Sequence, residues 1–241
     1  MSRQVLLLDQ GNTRLKFRLL SLDGDVIRDG FVMNEQAGSL QWISGLDPGW
    51  VMSLNSGALD FDPTKVWPEA VCYSFLPSDG AGISWAYEDV NQLGRDRMAA
   101  MLGASAEFPE ANLILADAGT CLTVDFLAAG GRHLGGFISP GFSMRLQAMH
   151  SFTHSLPLPE AVFAKAPGKS TIQCMQAGAF CGILSELDFH LQCAAFDDNA
   201  PVVRILSGGD AKDLAHHLKE STFVAEDLIF KGLYRAWKGR I

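Results

Sequence analysis

Long apolar runs, paired cysteines and basic clusters are all missing from this sequence, and each absence narrows what the chain can be. No apolar stretch approaches the roughly 20 residues needed to span a bilayer. Met1 to Leu8 has no basic region followed by a long enough apolar core for a secretion signal, so a cytoplasmic protein with no membrane partner is expected. The five cysteines, Cys72, Cys121, Cys174, Cys181 and Cys193, are odd in number and lack paired CxxC spacing. Sitting mostly among apolar neighbours, they read as reduced core residues and not as a zinc site. Basic residues number 19 against 27 acidic ones, a net charge of -8, which argues against a nucleic-acid partner. That balance says little about phosphate ligands, which answer to local amides and Mg²⁺ more than to total charge. Low-complexity tracts and long linkers are absent too.

What is present is the composition of a folded globule. Of 241 residues, 48% are hydrophobic and 19% charged, with a mean hydropathy of +0.11. This is enough chain for one large or two small domains with real cores.

The first informative stretch is Val5-Leu6-Leu7-Leu8-Asp9-Gln10-Gly11-Asn12-Thr13-Arg14-Leu15-Lys16-Phe17. An apolar run of strand length meets an acid, a glycine and two small polar residues, and alternation resumes at Leu15, Phe17 and Leu19. The pattern predicts a β-hairpin with a chemical tip. Backbone N–H groups and short donors at such a tip suit phosphate oxygens, Lys16 adds positive charge, and Asp9 can hold a cation directly or through water. Asn and Gly also favour the positive φ of an ordinary hairpin turn, so the loop taken alone admits both readings.

The same sentence is written a second time. Leu113-Ile114-Leu115-Ala116-Asp117-Ala118-Gly119-Thr120-Cys121-Leu122 again runs strand, Asp-x-Gly-Thr, strand. A third element, a strand over 202–206 followed by Ser207-Gly208-Gly209-Asp210-Ala211, opens a helix. The set resembles the superfamily that includes actin, the heat-shock ATPases and the acetate and sugar kinases. The resemblance implies an α/β fold of two ribonuclease H-like (actin-like ATPase) domains, each a mixed five-stranded sheet flanked by helices, with an interdomain nucleotide cleft. The halves are expected at 1–112 and 113–241.

Between the hairpins, Asp23-Gly24-Asp25 predicts a reversal, 36–46 a short helix, 51–56 a strand and 65–67 the start of another helix. Gly94-Arg95-Asp96-Arg97 predicts a helix N-terminus. A carboxylate beside two arginines there stays ionised, and an arginine can grip a substrate carboxylate with paired hydrogen bonds. The same residues are also what a helix cap and a solvated face require.

With Tyr87 at its spacing before that motif, the chain resembles the type III pantothenate kinases. The motifs that carry the resemblance are Asp9-x-Gly11-Asn12-Thr13-x-x-Lys16, Tyr87 with Gly94-x-Asp96-Arg97, and Asp117-x-Gly119-Thr120. Gly135-Gly136-x-Ile138-x-Pro140-Gly141, Thr171 and Gly208-Gly209-Asp210-Ala211 complete the set. The resemblance implies ATP and pantothenate as substrates, with Asp96 as the base that deprotonates the pantothenate hydroxyl. Tyr87, Gly94, Arg95, Asp96, Arg97 and Thr171 would bind pantothenate, Arg97 facing its carboxylate. Asp9, Gln10, Gly11, Asn12, Thr13, Arg14, Leu15, Lys16, Thr120, Gly208 and Gly209 would contact ATP. Asp117 would hold a monovalent cation, K⁺ or NH₄⁺, and Mg²⁺ would arrive with ATP. A homodimer is implied in which Thr171 reaches the neighbouring subunit's pocket. Met98, Gln10 and Cys121 depart from the family's commoner residues, and none removes a reacting group. The rival readings are another small-molecule kinase or phosphatase of the superfamily, or a nucleotide-dependent regulatory protein without catalysis.

The remaining expectations are structural. A helix is predicted over 142–149, an extended segment over 155–159, and a long helix from Thr171 with Ile172, Met175, Gly178, Ala179, Gly182, Ile183 and Leu187 along one face, where the small residues permit close helix crossing. Thr171 could equally be that helix's cap. Two last helices are predicted over 211–218 and 223–237, and His150, His154, His216 and His217 read as solvated or structural.

Overall fold

The computed structural model describes residues 4–39, 41–57, 59–80, 82–163, 166–192, 196–197 and 199–241. Its contacts divide the chain into two compact units, Met1–Glu107 with Asp227–Ile241, and Phe108–Glu226. These differ from the halves expected at 1–112 and 113–241, chiefly because the last helix belongs with the first unit.

In the first unit, β1 (Gln4–Gln10) pairs antiparallel with β2 (Arg14–Ser21), which pairs antiparallel with β3 (Val26–Met33). On its other side β1 runs parallel to β4 (Trp50–Asn55), and β4 parallel to β5 (Val71–Ser74). The sheet order is β3-β2-β1-β4-β5. Val5 through Leu8 are each 0% exposed, as a central strand covered on both faces requires. One face carries a core of Leu6, Leu8, Leu15, Phe17, Trp42 and Trp67. The chain expected as a helix over 36–46 forms two 3₁₀ turns, Asn34–Ser39 and Gln41–Ile43, followed later by the short α1 (Pro63–Val66). On strands β1 and β4 pack α2 (Arg95–Glu107) and α6 (Leu228–Lys238). Those helices cross at glycines: a Cβ on Gly103 would lie 2.2 Å from Leu228 O, and one on Gly232 1.9 Å from Ala99 O. No side chain fits there, which is what ties the C-terminal helix to the first unit.

The second unit repeats the plan. β6 (Asn112–Ala118), β7 (Cys121–Ala128) and β8 (Arg132–Pro140) form an antiparallel meander, and β9 (Val202–Ser207) and the two-residue β10 (Phe223–Val224) extend the sheet in parallel from β6. Its order, β10-β9-β6-β7-β8, is the first sheet's order read from the other edge. α3 (Phe142–Ser151), α4 (Thr171–Gln192) and α5 (Ala211–Ala215) cover a core of Ile114, Val124, Phe142, Ile183, Leu187 and Leu206. The helix expected over 223–237 is therefore strand β10 and then α6, and α5 ends three residues short of the expected 218. Along the expected face of α4, Met175, Ala179, Ile183 and Leu187 are buried, while Ile172 and Gly178 are exposed.

The four described cysteines are not fully buried core residues. Cys72 and Cys121 are half-buried, Cys174 and Cys181 exposed, and all four are free thiols; Cys193 lies outside the described residues. His150, His154, His216 and His217 are exposed as expected. No helix among the described residues is long and apolar enough to cross a membrane.

Candidate active site

Asp9 and Asp117 occupy the same place in the two sheets, the penultimate residue of the central strand before a glycine-bearing loop. In the first unit the antiparallel register sets Asp9 opposite Lys16 and Gln10 opposite Leu15. Directly opposed residues project to one face, so carboxylate and ammonium share a side of the sheet at the loop's base. The loop is closed by Gly11 N–H donating to Arg14 O at 3.0 Å. Asn12, Thr13 and Arg14 are exposed, Gly11 and Lys16 half-buried. Asp9 is 5% exposed and Gln10 3%; Gln10 Nε2 donates to Phe61 O at 3.1 Å. Leu15 is fully buried in the core, which leaves its backbone as the part a ligand can meet.

Two further residues hold this loop, and sequence reasoning passed over both. Asn34 Nδ2 donates to Gly11 O at 3.0 Å and to Asn12 O at 2.9 Å. Gly57, after β4, lies so close that a Cβ there would be 2.3 Å from Gly11 O and 2.8 Å from Asn12 N. Locally, Asn34 follows an edge strand and Gly57 sits in an Asn-Ser-Gly turn; neither has a sequence signal beyond ordinary turn chemistry.

The second cluster of the first unit stands at the start of α2. Asp96 is half-buried, and its Oδ1 accepts the Arg97 backbone N–H at 2.9 Å. Gly94 makes room for that carboxylate, since a Cβ on residue 94 would lie 2.6 Å from Asp96 Oδ1. Arg97 is 7% exposed. Its Nη1 donates to Tyr87 Oη at 3.0 Å, and its Cζ lies 5.8 Å from the Tyr87 ring centroid. Arg95 turns to the main chain after β5, Nη1 donating to Phe75 O at 2.6 Å. The cluster thus brings together Tyr87, Gly94, Asp96 and Arg97: an acceptor for a hydroxyl proton beside a guanidinium suited to a carboxylate.

In the second unit, Ser207 at the end of β9 is opposite Asp117 in the parallel register, and Ser207 Oγ donates to Asp117 Oδ2 at 2.6 Å. The Asp117–Cys121 loop is tightened by Gly119 N–H donating to Cys121 O at 3.0 Å. Gly208 has φ +96°, and a Cβ there would lie 2.4 Å from Ala118 O, so the turn joining β9 to α5 needs glycine. Asp210 N–H donates to Ala118 O at 3.1 Å. Burial, aided by the charge of Asp213, pushes the Asp210 carboxyl up from its ordinary value. Thr120 and Gly209 are exposed. Among the described residues no group of three His, Cys, Asp or Glu side chains could hold a metal ion. The Asp117–Ser207 pair offers one carboxylate and one neutral hydroxyl as oxygen donors.

Thr171 is the first residue of α4 and is exposed. The cap is its neighbour: Ser170 Oγ accepts Gln173 N–H at 3.3 Å.

Residues 67–190 match the family described as type III pantothenate kinase. A type III pantothenate kinase of Flavobacterium psychrophilum is 30% identical over 238 residues, covering 95% of this chain and 96% of its own length. Among solved structures, a conserved Baf family protein of Campylobacter jejuni aligns with a TM-score of 0.64 at 21% identity over 98% of each chain. The activator of 2-hydroxyisocaproyl-CoA dehydratase from Clostridium difficile, solved with bound ADPNP, aligns with a TM-score of 0.54 at 14% identity over 97% of this chain and 92% of its own. At these identities the two structural likenesses speak for the fold alone, and the fold is the expected actin-like ATPase and sugar-kinase type.

Proposed function

We propose a reaction for a chain that belongs to the type III pantothenate kinase family: it moves the γ-phosphoryl group of ATP to the primary hydroxyl of pantothenate, giving phosphopantothenate in the first step of coenzyme A synthesis. The observation that carries this reading is the pairing of Tyr87 with Arg97 at 3.0 Å, one residue from the Asp96 carboxylate. A buried guanidinium already oriented by a phenol is a receptor for a planar anion, and the pantothenate carboxylate supplies one.

In this reading Asp96 accepts the hydroxyl proton as the oxygen bonds to the γ-phosphorus and the bond from phosphorus to the ADP oxygen breaks. A weak base suffices, because phosphoryl transfer depends on positioning and charge neutralisation more than on base strength. Residues 9–16 receive the terminal phosphates through loop N–H groups and Lys16, while Thr120, Gly208 and Gly209 contact the rest of the nucleotide. Asp117 and Ser207 would hold a monovalent cation, K⁺ or NH₄⁺, which offsets phosphate charge when bound. ATP brings its own Mg²⁺. A homodimer belongs to the same proposal, with exposed Thr171 reaching a neighbouring subunit's substrate. So does a cytoplasmic location.

The test is phosphopantothenate formation from ATP, Mg²⁺ and pantothenate, in K⁺ and in Na⁺ buffer, for the wild type and Asp96→Asn. Turnover that needs K⁺ and collapses in the variant is expected. A wild type inactive in both salts sinks the assignment.

A further inference from the structure

An arginine fork can hold several acceptors in one rigid geometry. Arg145, on α3, donates through Nε to Pro140 O at 2.8 Å and through Nη2 to Ser139 Oγ at 3.3 Å, and the same Nη2 pairs with Glu186 of α4. Burial alone would raise the Glu186 pKa. Hydrogen bonds from Ser139 and Arg145, with the charges of Arg145 and His190, outweigh it and hold the carboxyl below its ordinary range. Glu186 is therefore an ionised anchor for the guanidinium at neutral pH.

The turn gripped by Arg145 is the one that closes on the second glycine loop. Gly141 N–H donates to Thr120 O at 3.1 Å, and Arg145 N–H donates to Gly141 O at 3.0 Å. A Cβ on Gly141 would lie 2.2 Å from Gly119 O and 2.6 Å from Thr120 O. With no slack between the two backbones, a shift at Pro140 is passed to Gly119 and Thr120 as a displacement of main chain. We infer that Arg145 is a positioning residue for nucleotide binding: by holding Pro140 against α4 it fixes the shape of the Asp117–Thr120 loop. The inference rests on the reading of that loop as an ATP contact.

Calorimetry with a non-hydrolysable ATP analogue and Mg²⁺ tests this on the full chain. Arg145→Met is expected to weaken nucleotide binding roughly tenfold, about 1.4 kcal/mol, with pantothenate affinity unchanged. Arg145→Lys keeps the charge facing Glu186 but lacks the fork, and is expected to be as weak. Wild-type nucleotide affinity in Arg145→Lys, or an equal loss of pantothenate affinity in Arg145→Met, overturns the inference. If Arg145→Met does not fold by circular dichroism, the lysine variant decides alone. Wild-type turnover is measured alongside: a protein that binds the analogue without phosphorylating pantothenate removes the kinase assignment and leaves the affinity comparison to judge Arg145, whereas one that binds no nucleotide overturns the role.

Discussion

The Tyr87 hydroxyl accepts a hydrogen bond from Arg97 Nη1 at 3.0 Å, from ten positions further along the chain. The bond fixes the rotamer of a long side chain that would otherwise lose much entropy on gripping a ligand. Tyr87→Phe should therefore raise the KM for pantothenate about fivefold, roughly 1 kcal/mol, with kcat little changed. Arg97→Lys, which replaces a fork by a point charge, should lower kcat/KM on the order of 100-fold. Steady-state kinetics read both, and equal KM values in wild type and Tyr87→Phe would remove the phenol from the site.

Gly94 controls where the Asp96 carboxylate sits. Its missing Cβ would stand 2.6 Å from Asp96 Oδ1, so Gly94→Ala must move the carboxylate, a flexible side-chain end, and not the backbone. Misplacement of a reacting group by about 1 Å can cost on the order of 100-fold. The expected result is a kcat lowered by roughly that factor, with an unfolding midpoint near that of wild type. A wild-type kcat would show that Asp96 is not placed by this contact.

Much of this was legible because its chemistry is local. The two Asp-x-Gly hairpins announce themselves within a dozen residues, and Asp96 with Arg97 needs only a helix start. What escaped depends on distant partners. Phe223 and Val224 are a strand solely because they pair with Ile205 and Leu206, and helical spacing in the residues after them hid the break at Asp227. Over Arg132–Pro140 the sequence offers no strand pattern, yet it is an edge strand in which Gly135 takes φ +102° beside an irregular register. The homing of α6 to the first unit turns on Gly103 meeting Gly232, and no periodicity reports that a glycine faces another helix. Asn34 and Ser207 reach the loops across a sheet, so only coordinates reveal them.

Gly57 gives the sharpest test of the first loop. A methyl at this position would meet main-chain atoms of Gly11 and Asn12 at 2.3 and 2.8 Å, so the loop itself must shift. Gly57→Ala should weaken binding of the ATP analogue more than about tenfold, whereas Gly38→Ala, with nothing within 4 Å of the added atom, should leave it unchanged. Equal affinities in the two variants would disconnect the Gly11–Thr13 loop from nucleotide binding.

His190 sets an acid-side limit on stability. Its ring stacks on Phe137 with centroids 4.0 Å apart, its Nε2 lies 3.9 Å from Glu186 Oε1, and its enclosed Nδ1 has no hydrogen-bond partner among the described residues. Burial lowers its pKa from the ordinary 6.5, against the opposing pull of the Glu186 charge. Arg145, bonded to that same carboxylate, competes for it. As pH falls through 6.5 the unfolded chain gains a proton at His190 before the folded chain does, so stability drops, at a limiting slope of about 1.4 kcal/mol per pH unit for one proton. The drop ends once pH passes the lowered folded value. Glu186 works in a separate window: its depressed pKa adds stability that is present above the ordinary 4.5 and lost as pH falls through the folded value below it. Unfolding midpoints measured from pH 7 to pH 3 should therefore fall in two stages. His190→Gln should abolish the upper stage and Glu186→Gln the lower one. An upper stage that survives in His190→Gln would assign it to another group.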